Sequence, residues 1–90
     1  MVAVRMKGLP FRVQMDEIEE FFADYEFIKD SIILGENDDG RRNGFGAVLF
    51  KNKEQAAQAA EEKNKQYVGP RYVDLQVLSY ENYGNFNEFM

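Results

Sequence analysis

The chain has 90 residues and a mass of 10.5 kDa, which suits one domain with a single modest core. Hydrophobic residues make up 44% of the sequence, while Cys, His, Thr and Trp are absent. These absences exclude a disulfide framework, a cysteine-ligated zinc site and a thiol nucleophile, and we expect no bound cofactor.

The net charge of −5 arises from 11 basic and 16 acidic residues. Residues 1–13 carry only basic charges and residues 16–26 only acidic ones, so a basic surface can exist on an acidic protein. No apolar run approaches the roughly 20 residues of a membrane span, and the N-terminus lacks the apolar stretch of a signal peptide. We therefore expect an intracellular protein with no membrane partner.

The first half of the chain predicts three strands and one helix. Val2–Met6 is typical of a strand that Gly8-Leu9-Pro10 ends. From Asp16 onward, apolar residues at i, i+3, i+4 and i+7 predict an amphipathic helix. Ser31–Leu34 and Phe45–Phe50 are predicted as the second and third strands. The apolar positions of the helix are Ile18, Phe21, Phe22 and Tyr25.

The second half predicts another helix and a fourth strand. Asn52 suits the N-cap, and Gln55 three residues later resembles a capping box. The alanines of residues 56–60 favour a helix with little bulk, which allows close packing on a sheet. Gly69-Pro70 predicts a turn, and the alternating apolar residues of Arg71–Leu78 predict a strand.

The order β-α-β-β-α-β predicts an α+β fold of the ferredoxin-like type. Its four-stranded antiparallel sheet would carry both helices on one face and leave the other face open. We predict that this domain spans residues 1–79 and that residues 80–90 form a C-terminal tail rich in aromatics and Asn. This tail is either an unordered linker or an amphipathic segment that docks on the sheet or on a partner. Its aromatic residues recur at every third position: Tyr80, Tyr83, Phe86 and Phe89.

Two strands carry a family resemblance. Val4–Leu9 resembles the RNP hexamer of RNA-recognition motifs (RRMs), and Asn43–Phe50 resembles their RNP octamer. Strand alternation puts Arg5, Phe45 and Ala47 on the open face, at positions where such domains usually stack bases on aromatics. Only Phe45 is aromatic there. The alternate positions are predicted to face the core: Gly46, Val48 and Phe50.

Three further segments resemble the quasi-RRMs of the heterogeneous nuclear ribonucleoprotein F/H family. Arg5–Phe11, RMKGLPF, is similar to the family's R-x-R-G-L-P-W. Gly40–Gly44, GRRNG, is similar to its G-R-x-x-G, and Gly69–Leu75, GPRYVDL, to its G-H-R-Y-V/I-E-V. Lys7 stands where the family has Arg, and Phe11 where it has Trp.

This resemblance implies a monomeric domain that grips single-stranded RNA, possibly G-tracts in that family's manner, through its loops rather than its sheet. It also implies a parent protein in RNA processing or splicing regulation, in the nucleus or alternatively the cytoplasm. Stacking on rings and guanidinium planes and neutralisation of phosphates give the loop residues a physical role. The candidate RNA-binding residues are Arg5, Lys7, Phe11, Arg41, Arg42, Phe45, Arg71 and Tyr72. We expect Phe11, Arg41 and Tyr72 to form one cage.

Each candidate also has a purely structural interpretation. Phe11 would pack in the core, and Tyr72 would be an ordinary strand residue. Arg41 and Arg42 would pair with Asp38 and Asp39, and Arg71 would pair with a helix carboxylate. Arg5 would keep the sheet soluble, and the tail would cover Phe45.

The sequence also bears on three other functions: a protein-interaction domain, an enzyme and a calcium-binding protein. A protein-interaction domain of the same fold would use the acidic helix face or the aromatic tail. An enzyme is not expected, because no nucleophile–base pair stands out. The acidic loop Gly35–Gly40 does not predict a calcium site, since an EF-hand alignment on Gly40 puts Gly35 and Gly46 at the first and last ligand positions.

Overall fold

The computed structural model describes the backbone of residues 1–89 and the side chains of residues 1–85. Four antiparallel strands form one sheet in the order β2-β3-β1-β6, and two short strands form a hairpin. The elements are β1 Val2–Lys7, α1 Met15–Phe21, β2 Ile33–Glu36, β3 Arg42–Phe50, α2 Lys53–Lys63, β4 Tyr67–Val68, β5 Arg71–Tyr72, β6 Asp74–Ser79 and a C-terminal 3₁₀ segment, Tyr80–Phe89. The predicted ferredoxin-like fold is confirmed. Among the described residues, no helix is long and apolar enough to cross a membrane.

The central strand β1 divides the buried residues between two faces of the sheet. It pairs with β3 on one side and β6 on the other, with Arg5 opposite both Ala47 and Gln76. The face toward the helices holds the main core, which includes Val4, Met6, Val48, Phe50, Ile18 and Phe22. The predicted inward orientation of Val48 and Phe50 is therefore confirmed.

The first helix is shorter than the sequence predicts. A reciprocal cap begins it, in which the Gln14 backbone N–H donates to the Glu17 carboxylate at 2.8 Å. It ends at Phe21, so the prediction that Tyr25 continues the helix is wrong. The chain turns after Phe22 and lets Phe27 form a bridge with Phe50.

Outside the helix, the Tyr25 hydroxyl joins the turn to α2 by donating to Glu62 at 2.5 Å. This hydrogen bond raises the pKa of Tyr25 to about 12 and lowers the pKa of Glu62. The stabilising effect of the pair should thus be lost as the pH falls through the lowered pKa of Glu62, or rises through about 12. Comparing the pH dependence of unfolding for the wild type and Tyr25→Phe measures it, because the variant lacks the tyrosine transition and the part of the Glu62 transition that Tyr25 causes, while the hydrogen bond from Gln58 to Glu62 remains. Parallel stability curves throughout would contradict the assignment.

Two strand boundaries differ from the predicted ones. The second strand is Ile33–Glu36 instead of Ser31–Leu34, because Ser31 uses its hydroxyl to bond neighbouring backbone. That hydroxyl accepts from the Leu49 N–H at 2.9 Å and donates to the Ile28 carbonyl at 2.6 Å. The third strand begins at Arg42, before the predicted start at Phe45.

The predicted fourth strand, Arg71–Leu78, is two strands with separate partners. Arg71–Tyr72 pairs with Tyr67–Val68 across the Gly69-Pro70 turn. Asp74–Ser79 pairs instead with β1 at the edge of the sheet. Val73 lies fully buried between them, so a core contact marks the point where the chain changes partner.

Helix α2 begins at the predicted N-cap. The Asn52 side chain accepts from the Gln55 N–H at 2.8 Å, but Gln55 does not complete a capping box. Its side-chain oxygen accepts from the Glu26 N–H at 3.1 Å and ties α2 to the turn after α1. Buried Ala56 and Ala59 make the close contact with the sheet.

Replacing Asn52 with alanine should lower the free energy of unfolding by about 1 kcal/mol, because one N-terminal amide of the helix loses its acceptor. Chemical denaturation measures the change. Asn52→Asp is the matched control, since a carboxylate caps equally well. Equal losses in both variants would rule out capping as the cause.

The face of the sheet opposite the helices is covered, so the prediction that it is open is wrong. The C-terminal 3₁₀ segment contacts β1 and β3, and Tyr83 packs on a cluster made by Ala3, Ala47, Leu49 and Leu78. The Tyr83 hydroxyl donates to the Ser31 carbonyl, and burial raises the pKa of Tyr83. Arg5 is only 7% exposed on this face, and Phe45 is half-buried.

Candidate nucleic-acid interface

Three connections meet at one end of the sheet, where Lys7 lies opposite Phe45 on β3 and Asp74 on β6. They are residues 8–14 after β1, residues 37–41 between β2 and β3, and residues 64–73 between α2 and β6. The convergence follows from the strand order, because β1, β3 and β6 are neighbours and their loops emerge side by side.

Two glycines allow these connections to come together. Gly8 has a φ of +96°, and a Cβ atom there would lie 3.1 Å from the Tyr72 carbonyl oxygen. Gly44 has a φ of +87°, and its carbonyl accepts from the N–H groups of Gly8 and Leu9. A Cβ at Gly44 would lie 3.5 Å from the Phe11 ring. A side chain at either position would thus strain the backbone, and one at Gly8 would also crowd the Tyr72 carbonyl oxygen.

Arg42, at the start of β3, holds the connection of residues 8–14 next to that of residues 37–41. Its guanidinium donates to the Val13 carbonyl at 2.5 Å, so this side chain has a structural role. Arg41 points away, with 85% of its side chain exposed and its Nε 3.7 Å from Asp39. Exposed pairs at such distances contribute little, so Arg41 remains available to a ligand.

Phe11 lies on the wall between two depressions. The larger, of about 880 Å³, lies between Phe11 and the 37–42 loop with Arg41. The smaller, of about 470 Å³, lies between Phe11 and the hairpin. Phe11 is 61% exposed, which argues against the alternative that it is a core residue.

Arg71 covers Phe11 from the hairpin side. Its guanidinium carbon lies 5.8 Å from the centroid of the Phe11 ring, within the range of a cation–π contact. A flat ring with a cation at one side and an open depression at the other can accept a planar, electron-rich group.

A third depression, of about 400 Å³, continues past Arg71 to Tyr72, Tyr67 and Lys7. Tyr72 is 54% exposed, and the Lys65 ammonium lies 5.6 Å from its ring centroid. Lys65 also pairs with Asp74 at 2.5 Å, and this contact raises the pKa of Lys65.

The predicted residues therefore lie along one rim but do not share one cage. Phe11 shares a depression with Arg41 and another with Arg71, whereas Tyr72 lies in the third. The expectation of a single cage of Phe11, Arg41 and Tyr72 is wrong, because Pro70 and Arg71 stand between the ring of Phe11 and that of Tyr72. We call the three adjoining depressions the rim track.

The residues that line this track and that sequence reasoning missed include Arg12, Asn37 and Tyr67. A signal for Tyr67 was present, since two short β-prone runs around Gly69-Pro70 are typical of a two-residue hairpin. Such a hairpin places Tyr67 directly opposite Tyr72. Arg12 and Asn37 carried no comparable pattern.

Comparison with known proteins identifies the family of this chain. The family model described as "RRM domain" matches residues 4–86. The chain belongs to the RRM family. Human heterogeneous nuclear ribonucleoprotein H is 36% identical over 72 residues, which cover 80% of this chain and 16% of that protein. Human RNA-binding protein 12 is 33% identical over 72 residues, which cover 80% of this chain and 8% of that protein.

Two solved structures superpose closely on this RRM, and one of them is named as a qRRM domain, in line with the motifs of the sequence. The Glorund qRRM2 domain superposes with a TM-score of 0.84 at 27% identity, covering 93% of this chain and 96% of that one. Human G-rich RNA sequence binding factor 1 superposes with a TM-score of 0.81 at 27% identity, covering 98% and 90%. The chain spans less than a fifth of the length of the two curated relatives above.

Proposed function

We propose that this RRM binds single-stranded RNA through the rim track. The observation that carries the proposal is the position of Phe11 between Arg41 and Arg71, with an open depression on each side. Unpaired bases expose their flat faces, and each stack on an aromatic ring contributes about 1–3 kcal/mol. The family is one of binding domains, and its relatives are named as ribonucleoprotein and RNA-binding proteins.

Guanine is the base that this track suits best. An Arg guanidinium can donate to guanine O6 and N7 together, and Arg41 and Arg71 flank the ring on which a base would stack. One structural neighbour is named as a factor that binds G-rich RNA sequences. We therefore propose G-rich single strands as the ligand class.

The candidate residues have different roles in this proposal. Phe11 and Tyr72 stack bases, Arg41 and Arg71 contact bases, and Lys7 neutralises phosphate. Arg42 supports the site by holding Val13. Arg5 and Phe45 lie on the covered sheet face, so direct contact with RNA would require the C-terminal segment to move. The loops, and not the sheet, are then the binding surface.

The relatives support a role for the parent protein in RNA processing or splicing regulation, with the nucleus as its location. We propose that the domain itself acts as a monomer. A protein-interaction role through the acidic face of α1 is the competing proposal.

The test is a titration of the 15N-labelled domain with short G-rich RNA and with C-rich RNA of the same length. A lithium buffer, free of potassium, keeps the G-rich strands from forming quadruplexes. We expect amide shifts in residues 8–14, 37–44 and 65–74, with tighter binding of the G-rich strand. Shifts confined to α1 and α2, or none, would refute the proposal and favour the protein-interaction alternative.

The role of Lys7 predicts a change in salt dependence. Each phosphate contact to a single strand contributes about −0.7 to the slope of log K against log salt concentration. Lys7→Gln should make this slope shallower by about that amount and weaken binding equally for G-rich and C-rich strands. A salt titration by fluorescence anisotropy measures both quantities. Lys53→Gln on the distant N-terminus of α2 is the matched control, and an equal change there would contradict the role of Lys7.

A further inference from the structure

Tyr67 is an exposed aromatic residue next to the proposed RNA site. Its side chain is 65% exposed, although the adjacent Val68 on the same strand is buried. The Tyr67 ring meets that of Tyr72 edge to face, with centroids 6.2 Å apart. Lys7, Pro70 and Arg71 complete the walls of this third depression. Two tyrosines therefore lie exposed side by side on a hairpin that needs neither hydroxyl for its pairing.

The charged groups around the Tyr67–Tyr72 pair are complementary to a nucleotide. Lys65 lies 5.6 Å from the Tyr72 ring centroid, where it shields one part of the ring and supplies a cation. Lys7 lines the depression from the end of β1. Asp74, the register partner of Lys7 on β6, also lines the depression and accepts from Lys65, so a hydrogen-bond acceptor is present. Rings, a cation and an acceptor together suit a base with its phosphate.

We propose that Tyr67 is a further base-stacking residue, which holds an additional nucleotide beside the base that Tyr72 stacks. The inference rests on the proposed function and extends it by one nucleotide. Arg71 lines both the depression beside Phe11 and the one beside Tyr72 and Tyr67, so a strand bound at Phe11 can continue past Arg71 onto the hairpin. The ligand is an unpaired base linked by one phosphate to the base at Tyr72.

A length series of RNA tests this subsite. The full chain is titrated with G-rich RNAs of two to six nucleotides in lithium buffer, and the affinity is followed for the wild type and for Tyr67→Ala. The wild type should gain affinity at the length that first reaches Tyr67. Tyr67→Ala should lose that gain, which is on the order of tenfold, while binding the shortest strands as the wild type does.

Two further variants separate stacking from a structural role. Tyr67→Phe keeps the ring and should keep the gain, and intermolecular NOEs between the Tyr67 ring and base protons should appear only with the longer RNAs. Tyr80→Ala removes another exposed tyrosine, at the start of the C-terminal 3₁₀ segment and outside the rim track, and should leave the gain with RNA length unchanged. Equal weakening by Tyr67→Ala at every length, or no weakening, would overturn the subsite and leave the proposed function intact. Absence of binding by the wild type would overturn both.

Discussion

Replacing Phe11 with alanine should weaken binding of G-rich single-stranded RNA by roughly 10- to 100-fold, which corresponds to on the order of 1–3 kcal/mol. Phe11 lies between the depression that Arg41 lines and the one that Arg71 lines, and the Arg71 guanidinium carbon lies 5.8 Å from its ring centroid. Its loss would remove the stacking surface and also the support for Arg71. Isothermal titration calorimetry on the wild type and the variant measures the difference.

The fold should survive this change, because Phe11 is 61% exposed and lies outside the core. Phe11→Trp enlarges the stacking surface and should bind at least as well as the wild type. Arg71→Lys keeps the charge but loses the planar fork, so it should weaken binding while leaving the salt dependence nearly unchanged. Unaltered affinity in Phe11→Ala would contradict the proposed site, because that site depends on Phe11.

The order of elements was predictable because each one carries its own local signal. The spacing of Ile18, Phe21 and Phe22 identifies a helix, and the alternation along β3 separates Val48 and Phe50 from Ala47 and Leu49. The errors occur where distant contacts override these signals. Tyr25 continues the helical spacing, yet its hydroxyl bonds to Glu62, a residue 37 positions away.

The candidate site was predictable as a set of residues along one rim but not as a shape. Motifs in three connections select Phe11, Arg41 and Tyr72 as candidates, and the strand order brings those connections together. Their division into three depressions depends on where Arg71 and Pro70 stand, which follows from the hairpin. That hairpin is invisible when Arg71–Leu78 is taken as one continuous strand.

The covered face shows a different limit of sequence reasoning. A sheet face with Arg5, Phe45 and Ala47 is compatible with solvent or with a covering segment, and the periodic aromatics of the tail fit both outcomes. The decision rests on tertiary contacts such as that of the Tyr83 hydroxyl with the Ser31 carbonyl, which span most of the chain. No local pattern contains that information.

Deleting residues 80–90 should lower the free energy of unfolding by on the order of 2–4 kcal/mol, a large part of the stability of a small domain. The deletion removes the ring of Tyr83 from the cluster of Ala3, Ala47, Leu49 and Leu78. Complete burial of one large side chain is worth about 1.5–3 kcal/mol, of which the partly buried Tyr83 contributes a share, and the hydrogen bond of its hydroxyl adds about 1 kcal/mol. Thermal and chemical denaturation measure the loss, and Tyr83→Phe should show the hydrogen-bond part alone.

This deletion also tests whether the loops or the sheet face form the RNA-binding surface. If the rim track alone binds RNA, the shortened domain should keep the wild-type affinity at temperatures where it stays folded, because the track contains no residue beyond Asp74. A marked gain in affinity would mean instead that the C-terminal segment competes with RNA for Arg5 and Phe45. Unchanged stability of the shortened domain would place the end of the folded domain at residue 79. A loss of stability would extend the domain through Tyr83. We expect the loss, because Tyr83 contacts both the sheet and the Ser31 carbonyl.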